Sequence, residues 1–286
     1  EMMYGVNLFL QGFESDFLTA FMKIVSDIIT ENPLCIIAVV IFWSVNKRSG
    51  IITALSIVSA VTINSALKLY FKIPRPFLKD PAIKKLDTTG GYSFPSGHSQ
   101  QASGISTAAY VLSGRKRWVL ISGIILTLLI MTSRMYLGMH SILDVTVGAA
   151  LGIITALLSI WLFEKAEESG HFSLLYIISA VSAVFSVVYK FDRDLVVMTA
   201  LSVGAVTGFL IEEKYISYSV PESLGKKIAA SVIGLIVILA VKSLFIPVDT
   251  SVPAAAFLEY VIFGFAITAG APYIIKKILL GKEHVR

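Results

Sequence analysis

The chain has 286 residues, of which 56% are hydrophobic and 15% are charged, and its mean hydropathy is +0.80. Soluble domains are usually about 25% charged, so a water-soluble core of this composition would leave too few charged residues to cover its surface. The composition excludes an ordinary soluble enzyme, a nucleic-acid-binding module and a disordered chain, and it indicates a polytopic membrane protein. The net charge of +5 fits basic loops and anion binding better than a nucleic-acid partner.

The first thirty residues mix apolar and polar positions. Within residues 1–30, Phe9, Phe13, Phe17 and Phe21 follow each other at a spacing of four. This spacing predicts an amphipathic helix that lies at the membrane interface.

Nine apolar segments follow, most of them close to the length needed to cross a bilayer core of about 30 Å. They cover residues 32–46, 51–71, 97–112, 118–137, 142–163, 172–190, 195–211, 228–247 and 254–275. Backbone amides in lipid must be hydrogen-bonded within helices or a closed barrel. The pattern therefore predicts an all-α, polytopic transmembrane helical bundle of about nine spans.

The distribution of Lys and Arg predicts the orientation of this bundle. With nine spans, the face that carries loop 72–96 has the smaller share of loop Lys and Arg residues. Cytoplasmic loops are enriched in these residues, so loop 72–96 is predicted to face outward or into a lumen. We find no signal-peptide pattern and no Asn-x-Ser/Thr site, which favours a bacterial inner membrane.

Three clusters of polar residues interrupt the apolar pattern, all on the face of loop 72–96. They are Lys68 to Arg75 and Pro76; Pro95, Ser96, Gly97 and His98; and Ser133 and Arg134 to His140 and Asp144. Ionisable groups near hydrocarbon are costly, so a cluster at one depth indicates a functional site.

The residue types in these clusters suit a phosphoryl group. Lys68, Arg75 and Arg134 supply three permanent cations, and a guanidinium can bind phosphate oxygens bidentately. The turn formed by residues 95–97 opens a helix, where backbone N–H groups point at an anion.

Two histidines and a carboxylate add reactive groups. His140 and Asp144 are four residues apart, so they share a face if this segment is helical, and the carboxylate can hold one imidazole nitrogen protonated. The other nitrogen then carries a free lone pair and can act as a nucleophile. His98 remains as an acid for the leaving oxygen.

In this order, Lys-x6-Arg-Pro, Pro-Ser-Gly-His and Ser-Arg-x5-His-x3-Asp resemble the three signature motifs of the type-2 phosphatidic acid phosphatase superfamily. That superfamily also includes glucose-6-phosphatase, sphingosine-phosphate phosphatases and vanadium haloperoxidases. The resemblance implies hydrolysis through a phosphohistidine, without a metal or another cofactor. It implies that His140 attacks phosphorus, Asp144 orients it and His98 protonates the leaving group. The residues that it implies for phosphate binding are Lys68, Arg75, Ser96, Gly97 and Arg134.

We therefore expect a single integral-membrane phosphatase domain over residues 1–286, with a catalytic core at about 51–163 and additional C-terminal helices at 172–275. The leading function is hydrolysis of a lipid phosphomonoester or polyprenyl diphosphate at the outward face, with a phosphorylated lipid as substrate among membrane lipids. A soluble-sugar phosphatase similar to glucose-6-phosphatase and a membrane anion transporter are the alternatives. The sequence does not indicate an oligomeric state.

Other polar residues in or near the spans have two interpretations. Gln100 and Gln101 both follow His98, and either could face the site. Glu259 could contact substrate or pair with Lys242.

Overall fold

The computed structural model describes residues 2–88 and 90–281 of the chain, and these residues form helices joined by turns and loops. The α-helices are α1 (Met2–Gln11), α2 (Asp16–Asp27), α3 (Glu31–Ser44), α4 (Lys47–Phe71), α5 (Pro76–Lys79), α6 (Gly97–Leu112), α7 (Arg117–Tyr136), α8 (Ile142–Ser169), α9 (Tyr176–Val188), α10 (Arg193–Ile211), α11 (Leu224–Leu244), α12 (Pro253–Phe265) and α13 (Ala271–Ile275). A 3₁₀ turn (Phe172–Leu175) precedes α9, and π-helical turns follow α10, α12 and α13 at Glu212–Ile216, Ala266–Gly270 and Lys276–Leu280.

Several of these helices can cross a membrane. Within the described ranges, six segments are long and apolar enough: Lys47–Lys79, Arg117–Tyr136, Ile142–Ser169, Arg193–Ile216, Leu224–Leu244 and Pro253–Leu280. A seventh results if α2 and α3, which are bent by 45° relative to each other, count as one span. The chain is thus an all-helical membrane protein, but the predicted count of about nine spans is not confirmed. The predicted spans 32–46, 97–112 and 172–190 correspond to helices of fewer than 18 residues.

The N-terminal region forms two helices, α1 and α2, where the sequence predicted one. The break lies between Gln11 and Asp16, and the Ser15 hydroxyl caps α2 by accepting a hydrogen bond from the Leu18 N–H at 3.3 Å. The four phenylalanines of the predicted apolar stripe, Phe9, Phe13, Phe17 and Phe21, are all exposed on the protein surface. The interfacial position of this region stays a prediction.

The chain divides into two compact units. Unit 1 is formed by the chain up to Cys35 and by Ser59–Ile160, and unit 2 is formed by Ile36–Val58 and the chain from Trp161 onward. All three polar clusters of the sequence lie in unit 1. The expected single phosphatase domain with a core at about 51–163 stays a prediction.

Close helix packing in unit 1 brings the start of α6 beside the start of α8. A Cβ atom on Gly152 would collide with the carbonyl oxygen of Gln100, and one on Gly148 would collide with that of Ser96. Small residues of this kind let helix backbones approach each other closely. At this contact, the Ser96 N–H donates to the Asp144 carbonyl at 3.0 Å.

A buried apolar cluster in unit 1 connects the N-terminal helices to the end of α7. Its buried members are Met22, Tyr136, Leu137 and Met139, and Leu10, Leu18, Phe77 and Leu86 pack against them. Removing this apolar surface from water stabilises the arrangement of α1, α2 and the turn after α7.

Unit 2 is packed around a buried tryptophan. The Trp43 indole donates to the Ile267 carbonyl at 2.9 Å, and its ring lies against Gly234, where a Cβ atom would overlap it. Elsewhere in the unit, Gly204 and Gly264 allow α10 and α12 to approach at backbone distance. Small residues therefore set the helix packing in both units.

Candidate active site

The polar clusters lie at helix ends or in the turns next to them. Lys68 is in the last turn of α4, Arg75 directly precedes α5, Ser96 caps α6, Gly97 and His98 open α6, Arg134 is in the last turn of α7, and Asp144 is in the first turn of α8. His140 lies in the connection between α7 and α8. The N-terminal end of α6 exposes backbone N–H groups and positive dipole charge, which suit an anion, whereas the C-terminal ends of α4 and α7 favour the cations Lys68 and Arg134 that lie there.

The buried imidazole of His140 has different neighbours at its two nitrogens. Nδ1 is 3.5 Å from the Ser93 hydroxyl and 4.0 Å from Oδ2 of Asp144. Nε2 is 3.4 Å from Nη1 of Arg75. Because a guanidinium can only donate, this contact assigns the lone pair to Nε2 and the proton to Nδ1.

Asp144 is held by the start of α8. Its Oδ2 accepts hydrogen bonds from the Ser93 hydroxyl at 2.7 Å and from the Ser141 N–H at 2.6 Å, and the Ser141 hydroxyl accepts from the Asp144 N–H at 3.3 Å. This reciprocal pattern is that of a capping box. His140 precedes the helix, which begins at Ile142, so the two residues do not share a helical face as the spacing suggested. Their separation of 4.0 Å exceeds a hydrogen bond, and Ser93 connects them.

Backbone carbonyls hold the buried guanidinium of Arg75. Nη1 donates to the Met139 carbonyl at 3.1 Å, Nε donates to that of Gly91 at 3.2 Å, and Nη2 donates to that of Gly90. Among the side chains in residues 2–88 and 90–281, no carboxylate lies within ion-pair distance of Arg75. The carbonyl oxygens carry partial charges only, so they orient the guanidinium without neutralising it.

Arg134 is also buried, but it has an acidic partner. Its Nη1 donates to the Ser26 hydroxyl at 2.7 Å and to Oδ2 of Asp87 at 2.9 Å. The Asp87 side chain is mostly buried. This guanidinium is therefore fixed between α2 and loop 72–96 and is partly neutralised.

An asparagine supports the turn that opens α6. A Cβ atom on Gly97 would lie 3.1 Å from Oδ1 of Asn64, so only a residue without a side chain fits there comfortably. Nδ2 of Asn64 donates to the Pro95 carbonyl at 3.3 Å and to Oε1 of Gln100 at 2.8 Å. The Gln100 side chain thus supports the turn from behind.

Electrostatic effects link the three clusters. Burial lowers the pKa of His140 well below its usual 6.5, and the positive charges of Arg134, Arg75 and Lys68 lower this pKa further, as does His98. All four side chains therefore lie close enough to act on one imidazole. The His140 imidazole is neutral at physiological pH, and its free lone pair faces the cations.

Sequence reasoning missed several side chains that shape this site. Ser93 lies two residues before the second motif, and Asp87 is one of the few acidic residues in loop 72–96. The sequence position of each residue therefore gave only a weak indication of a role in the site. Asn64, Ser26 and Asn7 are polar residues at buried positions of their helices, and nothing in their local sequence indicates their partners.

The arrangement places an imidazole lone pair beside hydrogen-bond donors that suit an anion. A phosphoryl group bound at His140 Nε2 would meet the lone pair of a neutral imidazole and would lie beside the hydrogen-bond donors of the Arg75 guanidinium. Within residues 2–88 and 90–281, no group of three or more His, Cys, Asp or Glu side chains is arranged to hold a metal ion.

Comparisons with known proteins match the chain to a family of phosphatases. Residues 49–168 match the PAP2 superfamily, and residues 196–283 match the transmembrane extension of PAP2 superfamily phosphatases. The chain is 32% identical over 124 residues to undecaprenyl-diphosphatase of Sulfolobus acidocaldarius, covering 43% of this chain and 59% of that protein. It is 34% identical over 113 residues to sphingosine-1-phosphate phosphatase 1 of Mus musculus, covering 37% of this chain and 26% of that protein. The matched region therefore spans less than two thirds of either relative.

A solved structure is also similar. The crystal structure of Aquifex aeolicus LpxE superposes with a TM-score of 0.52 and 25% sequence identity. The superposition covers 56% of this chain and 95% of that one.

Proposed function

The chain belongs to the PAP2 superfamily, whose two matched segments cover more than two thirds of it, and from this premise we propose that it is an integral-membrane lipid phosphatase. Its substrate is a lipid phosphomonoester or a polyprenyl diphosphate, and the reaction needs no metal ion. The names of two relatives, an undecaprenyl-diphosphatase and a sphingosine-1-phosphate phosphatase, support a phosphorylated lipid as substrate.

One observation carries this proposal. The buried His140 imidazole directs Nε2 at the Arg75 guanidinium, while its Nδ1 side faces Ser93 and Asp144. A nucleophile needs a free lone pair that points at the electrophile, and a partner behind it that stabilises the charge that develops. Ser93 and Asp144 supply that partner.

In the first step, Nε2 of His140 attacks phosphorus and forms a P–N bond as the P–O bond to the lipid breaks. His98 donates its proton to the leaving oxygen. The imidazole gains positive charge as it is phosphorylated, and Asp144, through Ser93, stabilises that charge.

In the second step, water attacks the phosphohistidine. His98, now neutral, accepts a proton from the water as the new P–O bond forms and the P–N bond breaks. Inorganic phosphate leaves, and both histidines return to their starting protonation states. No external oxidant or co-reactant other than water is needed.

The remaining motif residues bind the phosphoryl oxygens. Lys68, Arg75 and Arg134 supply cationic donors, and Ser96 and Gly97 supply the start of α6. Oriented donors of this kind typically contribute about 10²–10³ each to the rate.

Exposed apolar side chains beside the site favour a lipid substrate. Tyr70 and Phe71 follow Lys68 at the end of α4, Leu78 follows Arg75 on α5, and all three apolar side chains are exposed on the protein surface. They allow a lipid tail to stay in the bilayer while its phosphate reaches the cations. We place the site at the extracytoplasmic or lumenal face, with a bacterial inner membrane as the proposed location.

The test is phosphate release by the purified protein in lipid nanodiscs with a chelator present. Undecaprenyl diphosphate, sphingosine 1-phosphate, phosphatidic acid and glucose 6-phosphate form the substrate panel. We expect release from at least one lipid, and a loss of about 10⁴-fold or more in His140→Asn. His171→Asn, the same substitution at an exposed histidine of unit 2, should leave the rate unchanged.

Other results would favour one of the alternative functions or contradict the mechanism. Faster turnover of glucose 6-phosphate than of any lipid would indicate a sugar phosphatase. Anion flux that survives in His140→Asn would indicate a transporter. Failure to trap a covalent phosphohistidine in His98→Ala, although substrate still binds, would contradict His140 as nucleophile.

A further inference from the structure

The polar faces of α1 and α2 are buried in unit 1, although these helices precede the matched PAP2 segment, which begins at residue 49. Asn7 and Ser26 are 0% and 1% exposed, and Gln11 is 9% exposed, whereas Phe9 and Phe17 are 65% and 82% exposed. A surface helix of a soluble protein shows the opposite arrangement. Buried polar groups are costly without hydrogen-bond partners, so the partners of these side chains indicate what the helices do.

Asn7 donates both amide hydrogens to the segment that carries His140. Its Nδ2 lies 2.8 Å from the Met135 carbonyl and 2.9 Å from the His140 carbonyl. The first carbonyl is in the last turn of α7, where carbonyls have no partner within the helix. The carbonyl of Met139 accepts from Arg75 Nη1. The peptide groups on both sides of His140 are therefore fixed.

Gln11 makes equivalent contacts one helical turn later. Its Nε2 donates to the Tyr136 and Lys84 carbonyls, and its Oε1 accepts from the Lys84 N–H, each at 2.9 Å. Gly138 completes this turn with a φ of +75°, and a Cβ atom there would collide with the Lys84 carbonyl. The turn before His140 is thus tightly enclosed.

The second helix contacts the neighbouring motif residues. The Ser133 hydroxyl donates to the Met22 carbonyl at 2.7 Å, and Arg134 donates to the Ser26 hydroxyl at 2.7 Å. The two helices together contact Ser133, Arg134 and His140, all of which belong to the third motif.

From these contacts we infer that the α1–α2 segment (Met2–Asp27) is a positioning element of the active site, and that Asn7 is its central positioning residue. This inference rests on the proposed function. Asn7 holds the backbone of His140 so that Nε2 keeps its direction toward Arg75. A misplacement of about 1 Å in a reacting group can cost about 10²-fold in rate.

The experiment compares three variants of the full chain in lipid nanodiscs. Asn7→Leu keeps the size of the side chain and removes both donors, and Asn7→Ser keeps one donor. Asn32→Leu is the matched control, because Asn32 is an exposed asparagine of the same unit. For each variant, kcat, KM, the single-turnover rate of phosphohistidine formation and the melting temperature are measured.

We expect Asn7→Leu to lower kcat and the rate of phosphohistidine formation by about 30- to 100-fold, with KM changed less than about threefold. For Asn7→Ser, both rates should lie between those of Asn7→Leu and the wild type. For Asn32→Leu, both rates should match the wild type. The fraction of enzyme that can be phosphorylated, measured at completion, should stay close to that of the wild type.

Two results would overturn the inference. One is a kcat for Asn7→Leu within threefold of the wild type. The other is a loss of activity equal to the loss of phosphorylatable enzyme, which is what a purely structural role produces. If Asn7→Leu does not fold, Asn7→Ser decides by the same two criteria. Phosphate release by the wild type tests the proposed function separately, so the two failures are distinguishable.

Discussion

Unit 1 and unit 2 both place cationic side chains among apolar helices, but the partners of these cations differ. In unit 1, backbone carbonyls hold Arg75. In unit 2, carboxylates pair with each of three cations: Lys47 with Glu212 and Glu213, Arg48 with Glu164 and Glu167, and Lys242 with Glu259. Of the two interpretations that the sequence allowed for Glu259, the structure therefore shows pairing with Lys242.

This difference is the one expected between a binding site and a structural network. A cation that already has a carboxylate partner is neutralised and contributes mainly to the fold. A guanidinium oriented by carbonyls keeps its charge, so it can stabilise an anion that arrives later. Arg134 is intermediate, because Asp87 partly neutralises it.

The largest expected difference between the units concerns arginine replaced by lysine. Arg75→Lys removes the planar group that contacts three carbonyls and faces His140, so kcat/KM should fall by about 10²–10³-fold. Arg48→Lys in unit 2 keeps a cation near two exposed carboxylates and should change kcat/KM by less than about threefold. Steady-state kinetics on both variants checks this, and equal effects would contradict the comparison.

The second prediction concerns pH. The lowered pKa of His140 keeps the imidazole neutral below pH 6.5, and the nucleophile is lost only as the pH falls through that lowered value. Lys68→Met removes one of the charges that lower the pKa, so the acidic limb of kcat/KM should move to higher pH. The pH–rate profile measures this shift. Lys165→Met, at an exposed lysine of unit 2, should leave the limb in place.

A smaller effect is expected at Asp87, the carboxylate that pairs with Arg134 in unit 1. Asp87→Asn removes the charge that competes with phosphate for Arg134, so vanadate should inhibit this variant at a concentration about fivefold lower. Inhibition constants for wild type and variant test this. Weaker inhibition would mean that Asp87 orients Arg134 for phosphate instead of competing with it.

The smallest effect on catalysis is expected in unit 2. Glu212 is fully buried and accepts hydrogen bonds from Lys47 and from the Tyr218 N–H. Glu212→Gln should lower the melting temperature, since breaking such contacts costs about 1–3 kcal/mol, but kcat per folded molecule should stay within about twofold. Thermal unfolding and turnover are measured on the same sample. A fall in kcat without loss of stability would place this network in the catalytic process.

The motif residues could be identified from sequence because their chemistry does not depend on the fold. A pair of histidines, a carboxylate and three cations in an apolar chain already indicate a phosphoryl site. Ser93 could not be assigned a role in this way. Its contact with Asp144 joins residues 51 positions apart in the chain. The sequence also suggested a direct contact between His140 and Asp144, but the helix begins after His140, and Ser93 lies between them.

The N-terminal region shows most clearly what local sequence patterns cannot predict. The spacing of its phenylalanines predicted one amphipathic helix, but the sequence did not reveal that the polar side would be buried. The contacts of Asn7 cross 128 and 133 positions of the chain. They depend on how α1 packs against the end of α7, and local periodicity carries no information about that packing.

By itself, the amino-acid sequence determined the membrane character and the helical class, and it supplied the candidate reactive groups, because hydropathy and side-chain chemistry belong to each residue or its near neighbours. The tertiary structure alone decided which nitrogen of His140 faces Arg75, which cations are neutralised and which face of α1 is buried. These properties depend on directions and distances between distant segments, and those are set only when the helices pack.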